Sequence, residues 1–214
     1  DAISLASAAT LNTASITAWQ ALFATDKGAL TEAKDKKILI HGAAGGVGSF
    51  AVQLAKNAGA QVATTSCTSN LSYVKSLGSD FLIDYKTQDI NQQIKDFAPN
   101  GLDFILDAVS AGSLASPLDM LKPGGTLVSI ATITEDAGIE ASMTQAKEKG
   151  VQHIYASISG VGMQEQLLSI VALADSGAIT LPATESYAME DIAAAHTRME
   201  TGHIQGKLVL KITH

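Results

Sequence analysis

The sequence predicts an α/β fold, a doubly wound parallel sheet (Rossmann arrangement) of about six strands with helices on both faces. Three observations predict it. Short apolar, β-branched runs alternate with helix-patterned stretches as far as residue 157, and a glycine-rich turn joins the first run to a helix pattern. The 214 residues are 46% hydrophobic and only 16% charged, enough to cover both faces of a sheet.

The elements follow in order. The opening "DAISLASAATLNTASITAWQAL" has no methionine, no basic leader and no cleavage signature, so it reads as a start in mid-sequence whose end is helical. Strand-like runs follow at 37–42 (KILIHG), 60–66 (AQVATTS), 80–85 (DFLIDY), 103–109 (DFILDAV), 126–131 (TLVSIA) and 151–157 (VQHIYAS). After the first run Val47, Ala51, Leu54 and Ala55 form an i, i+4, i+7, i+8 stripe that Gly59 stops. A shorter stripe, Tyr73, Val74 and Leu77, ends at Gly78. Residues 111–121 are expected to form a helix, with "KPGG" as the turn feeding the next strand. Beyond 157 come a helix at 162–176, an extended piece around "PATESY", a helix from Met189 to Thr201 and a last strand at 206–212, together an appendage to the sheet.

Composition excludes several functions. A net charge of -7, with basic residues scattered singly and Arg198 the one arginine, leaves no basic stripe for nucleic acid. The longest apolar run, "LLSIVALA" at 167–174, is far short of the ~20 residues a membrane helix needs. One cysteine, Cys67, cannot form an internal disulfide, and no Cys/His cluster has metal-ligand spacing. A reducing, cytoplasmic setting without structural zinc is expected.

The turn reads Ala43-Ala44-Gly45-Gly46-Val47-Gly48, a G-x-G-x-x-G pattern with alanine in the first slot, placed directly after a strand and opening a helix. Gly45 would let the backbone approach a pyrophosphate, Gly48 would let helix and strand pack closely, and the helix N-terminus would offer free N–H groups to phosphate. A ligand-free turn is the alternative, but three spaced glycines exceed what a turn requires. No Lys-Ser/Thr follows, as a P-loop needs, and no acidic residue precedes the turn. A dinucleotide fits better.

Which dinucleotide depends on the tip of the second strand, where a carboxylate would bond the adenosine ribose of NAD. The tip here is "TTSCTSN", with no Asp or Glu from Asn57 to Ser79. That favours NADPH, with Ser66, Thr68, Ser69 and Asn70 as candidates for its 2'-phosphate. N-capping of the following helix is the alternative role for these side chains, Ser69 above all. Lys75 lies more than a turn inside that helix, several ångströms beyond its start, which makes it a poor clamp.

In this order, "TASITAWQAL", "ILIHGAAGGVGSFAVQLAKNAGAQV", "SLGSDFLIDY", "LDFILDAV", "LKPGGTLVSI" and "AAAHTRMETGHIQGKLVLKI" resemble the zinc-independent quinone oxidoreductase branch of the medium-chain dehydrogenase/reductase superfamily. The resemblance implies hydride transfer from NADPH to quinones or other α,β-unsaturated carbonyl compounds. It implies residues 1–160 as the dinucleotide-binding domain with its N-terminal helix. Residues 161–214 would complete that domain and lend a last strand to an N-terminal GroES-like catalytic domain, which nothing in this chain resembles. Gly45, Gly46 and Val47 would meet the pyrophosphate, and Tyr85 would sit beside the adenosine phosphate. The family's lysine near the 2'-phosphate falls at Asn70. Val109, Ala131 and Thr132 would line the nicotinamide pocket; as bare sequence they are core and loop. Lys207 would approach the cofactor, or else be a solvated strand-end lysine.

Zinc-dependent relatives place a cysteine ligand just before the "TAW" helix, where this chain has Leu11, Asn12, Thr13 and Ala14. No catalytic residue and no metal ligand is therefore assigned. Cys67 reads as a small buried filler. His41 reads as a packed, hydrogen-bonded residue, and His196 and His203 as cations near a helix C-terminus. Neither Tyr73 nor Tyr155 has a lysine four residues on, so the Tyr-x-x-x-Lys of short-chain reductases is missing. The 151–157 run would be the edge of the sheet and, lacking lysine and proline, would pair with its twin in a homodimer.

Overall fold

The computed structural model describes residues 3–24, 30, 32–110, 112–130 and 136–212. Helices α1 (Leu5–Ala8) and α2 (Asn12–Phe23) precede strand β1 (Lys37–His41), α3 (Gly46–Asn57), β2 (Gln61–Ser66), α4 (Leu71–Ser76) and β3 (Phe81–Asp84). Then come α5 (Ile90–Phe97), β4 (Leu102–Asp107), β5 (Leu121–Ile130), α6 (Asp136–Glu148), β6 (Gln152–Ala156) and α7 (Met163–Asp175). The chain closes with β7 (Thr184–Ala188), α8 (Ile192–Glu200) and β8 (Lys207–Lys211).

Strands β1 to β6 form one parallel sheet in the order β3-β2-β1-β4-β5-β6, so the chain reverses direction of travel between β1 and β4. Alternate side chains go to opposite faces, and both faces are dry. Ile38, Ile40, Val62, Phe104, Leu106 and Val128 pack under α2, α3 and α7. Leu39, Ala63, Ile83, Ile105 and Leu127 pack under α5, α6 and the segment between β4 and β5. This two-sided burial is why the strands read as continuous apolar runs.

Helix α3 stops as the glycine at 59 predicts. Gly59 has φ 92°, its N–H donates to Lys56 O at 2.9 Å, and Ala60 N–H donates to Ala55 O at 3.0 Å, the two bonds of a Schellman cap. A buried glutamine on the same helix ties in the later chain: Gln53 Nε2 donates to Thr180 O at 2.9 Å, and Thr180 N–H donates to Gln53 Oε1 at 2.7 Å.

The expectation of a helix over 111–121 is corrected. Residues 113–116 turn, Pro117–Met120 is a single 3-10 turn, and Leu121 already belongs to β5. Leu114, Leu118 and Leu121 have helical spacing, but Leu114 reaches the core from a bend, Leu118 from the 3-10 turn and Leu121 from β5, with Ser116 at φ 50° and Pro117 fixing the next residue. "KPGG" is likewise not a turn before the strand. It is an irregularity inside β5, where pairing jumps from Leu102↔Leu121 to Phe104↔Thr126 and Gly124 takes φ 77°.

Strands β7 and β8 form a separate two-stranded parallel sheet. A lone bridge between Gly45 and Gly206 joins this sheet's entry to the glycine turn.

Candidate functional site

The turn after β1 is built around two close approaches. A Cβ on Gly48 would strike the Gly42 carbonyl oxygen and come within 2.7 Å of Ala43 Cα, so only glycine lets α3 lie this near the strand. A Cβ on Gly42 would sit 2.6 Å from Val109 Cγ2, which puts Val109 beside the turn. A Cβ on Gly45 would meet nothing nearer than Gly42 O at 3.5 Å, so Gly45 leaves a gap and Gly48 fills one. The N–H groups of Gly46, Val47 and Gly48 precede the first intrahelical bond, from Ser49 N–H to Gly45 O at 2.9 Å. An open cradle with helix-start donors fits a dinucleotide pyrophosphate.

The C-terminal segment crosses this turn. Gly206 N–H donates to Ala44 O at 2.8 Å, and the stem of Lys207 lies against Gly46, where an added Cβ would strike its Cδ. Lys207 therefore stands at the N-terminus of α3, between the solvated strand-end and cofactor-facing roles that its position in the sequence allowed.

The tip of β2 is more occupied than its composition suggests. Ser66 is buried and its hydroxyl donates to Cys67 O at 3.3 Å. The Thr68 hydroxyl donates to Asp84 Oδ2 at 2.5 Å. Asn70 is buried, donating through Nδ2 to His203 O (3.3 Å) and accepting at Oδ1 from Gln205 Nε2 (3.0 Å). None of these three side chains makes a helix-capping bond, which corrects the capping alternative for them. Ser69 is exposed, with its hydroxyl 3.2 Å from Cys67 Sγ. Ala131 and Thr132 lie outside the described residues.

One carboxylate escaped the sequence reading. No acid occurs in 57–79, but parallel pairing sets Asp84 opposite Ser66. The Thr68 hydroxyl bond holds the Asp84 carboxyl below the ordinary range, aided by the Lys86 N–H. The signal was the strand-end "DY" at 84–85, legible only once β3 is known to neighbour β2. Tyr85 follows, 39% exposed, its phenol pushed up by burial and by Cys67 beside it.

A polar row lines the C-terminal rim of the sheet on its α5/α6 face. His41 is buried, with Nδ1 2.7 Å from Thr65 Oγ1 and Nε2 3.1 Å from Ser113 Oγ. Burial lowers its pKa against the pull of Asp107, its register partner on β4. Burial raises that of Asp107, which accepts a bond from Val109 N–H at 3.0 Å. Further along, His153 bridges Ser129 (2.9 Å) and Ser142 (2.6 Å), and burial lowers its pKa to about 4. An apolar groove lined by Trp19, Phe23, Leu54 and Leu173 lies at the far end of α3, about 15 Å of helix from the glycine turn.

Fold and turn together define a dinucleotide-binding type of domain, and likeness to known proteins makes it the cofactor-binding part of an oxidoreductase of the medium-chain dehydrogenase/reductase type. The profile of the family described as "Zinc-binding dehydrogenase" matches residues 46–180, and the chain belongs to that family. It is 32% identical over 225 residues to the human protein named NAD(P)H oxidoreductase RTN4IP1, mitochondrial, covering 96% of this chain and 55% of that protein. Among solved structures it is similar to a quinone oxidoreductase from Coxiella burnetii, with TM-score 0.80 and 32% identity over 96% of this chain and 60% of that one. It is also similar to the Escherichia coli quinone oxidoreductase complexed with NADPH, with TM-score 0.84 and 26% identity over 99% of this chain and 66% of that one. The chain thus spans about half the length of the curated relatives it matches. Despite the family's name, no group of three or more His, Cys, Asp or Glu that could hold a metal ion occurs among the described residues. No helix there is long and apolar enough to cross a membrane.

Proposed function

We propose that this chain holds NADPH for an oxidoreductase that reduces quinones or other α,β-unsaturated carbonyl compounds. The observation that carries the reading is the cradle at residues 42–48, open at Gly45 and closed by packing at Gly48. In this reading Gly45, Gly46 and Val47 meet the pyrophosphate, and Lys207 lies near enough to offset its charge. Ser66, Thr68, Ser69, Asn70 and Tyr85 shape the adenosine end, with Ser69 and Tyr85 reaching the ligand and the other three holding the loop. Val109 borders the nicotinamide. When bound, the nicotinamide supplies the hydride. The chain's own residues bind and orient, and no side chain is assigned as an acid or a nucleophile. A GroES-like domain is proposed as the other wall of the acceptor cleft, β6 as the seam of a homodimer, and the cytoplasm as the location.

The test mixes the protein with NADPH and a simple quinone and follows absorbance at the nicotinamide band. Saturable binding with oxidation supports the whole reading. Binding without oxidation would leave a nucleotide-binding module without turnover, and no binding would overturn both.

A further inference from the structure

Two basic side chains flank the Tyr85 ring, and both come from loops. The His203 ring stands 6.4 Å from it, centroid to centroid, with 28° between the planes. Lys86 Nζ lies 5.3 Å from the same centroid. His203 holds φ 59°, a left-handed conformation uncommon outside glycine. Asn70 is bonded to the same residue. Its amide donates to His203 O and accepts from Gln205, and Gly206 N–H ties the same segment to Ala44 O.

Asn70 is thus turned to the C-terminal segment. We propose that His203 and Lys86 read the adenosine 2'-phosphate, with the Ser69 hydroxyl beside them and Asn70 as a positioning residue. The proposal rests on the NADPH reading above. His203 Nδ1 lies 3.2 Å from Thr201 O, and a carbonyl only accepts, so that nitrogen carries a proton. Nε2 is left to meet a phosphate oxygen, which it does as a donor when the ring is protonated. Lys86 brings a fixed positive charge. Asp84 is ionised beside them, but its oxygens are turned to protein donors, Oδ2 to Thr68 and Oδ1 to Lys86 N–H at 3.0 Å, and the Lys86 charge offsets it. Only 6% exposed, it braces the loops that carry Thr68 and Lys86.

The experiment is equilibrium titration of the purified protein with NADPH and, separately, NADH, read by calorimetry, for wild type, His203→Asn, Lys86→Gln and Asn70→Ala. Asparagine tolerates the left-handed backbone, so His203→Asn removes the ring without forcing the loop, and thermal unfolding is recorded alongside. Losing one charge-assisted contact is expected to weaken NADPH about tenfold while NADH changes less than about twofold. Asn70→Ala should shift the ratio the same way. An unchanged NADPH to NADH ratio in both His203→Asn and Lys86→Gln, or an equal loss for both cofactors, overturns the proposal while leaving the cofactor reading intact. Failure of the wild type to bind either cofactor overturns that reading, and this proposal with it.

Discussion

At positions 45 and 48 the same residue type serves opposite ends, and substitution separates them. Gly48→Ala should cost about 1–3 kcal/mol, because its Cβ would overlap backbone that cannot move without shifting α3. Gly45→Ala has room and an ordinary φ of -74°, so urea unfolding should scarcely change while NADPH binding weakens several-fold. If both variants lose stability equally, the cradle is packing and nothing more. The glycine pattern was legible because these are local backbone requirements. The β2 tip was legible only in kind. The hydroxyls of Ser66 and Thr68 stand where expected, but their bonds go to Cys67 O and to Asp84, and Asp84 is 16 residues beyond Thr68. Parallel register brings it there, and one-dimensional spacing does not record register.

Among the elements, β1 to β6 were legible to within a few residues at most ends, since burial on both faces makes each strand a short run rich in apolar and β-branched residues. The segment before β5 is no helix, since Leu118 enters the core from the 3-10 turn and Leu121 from β5 itself. Helices α5 and α6 left weaker signals, each burying few of its described side chains. Strand β6 is the sheet's outer edge beyond β5, and its open side is expected to pair with a second copy. Light scattering at micromolar concentration should give a dimer mass; a monomer mass would remove that expectation. The same strand carries His153, whose ring stays neutral between Ser129 and Ser142. Its folded pKa of about 4 lies below the ordinary 6.5, so the unfolded chain binds the proton more tightly. Stability should therefore fall as pH drops from 6.5 towards 4 and lose nothing further to this group below that. His41 is shifted the same way and its neighbour Asp107 the opposite way, so that pair offsets itself in part. His153→Gln should flatten thermal unfolding midpoints across this window, and an unaltered slope would show that the imidazole titrates freely.

On the scale of the whole molecule, the C-terminal segment ties the parts together. It leaves the main sheet after α7, forms β7 and β8 apart from it, and returns across both ends of the candidate site, at Ala44 and at Asn70. Sequence order placed it last and made it an appendage; hydrogen bonding makes it a strap over the glycine turn. The relatives extend beyond the matched region, which is where the proposed acceptor wall would belong. Amide chemical-shift mapping during titration with NADPH tests the central claim most directly. The account predicts saturable shifts concentrated at Gly46–Gly48, Ser69, Tyr85 and His203–Lys207, with the groove at Trp19 and Phe23 unmoved. No saturable shift, or shifts centred on that groove, would contradict it.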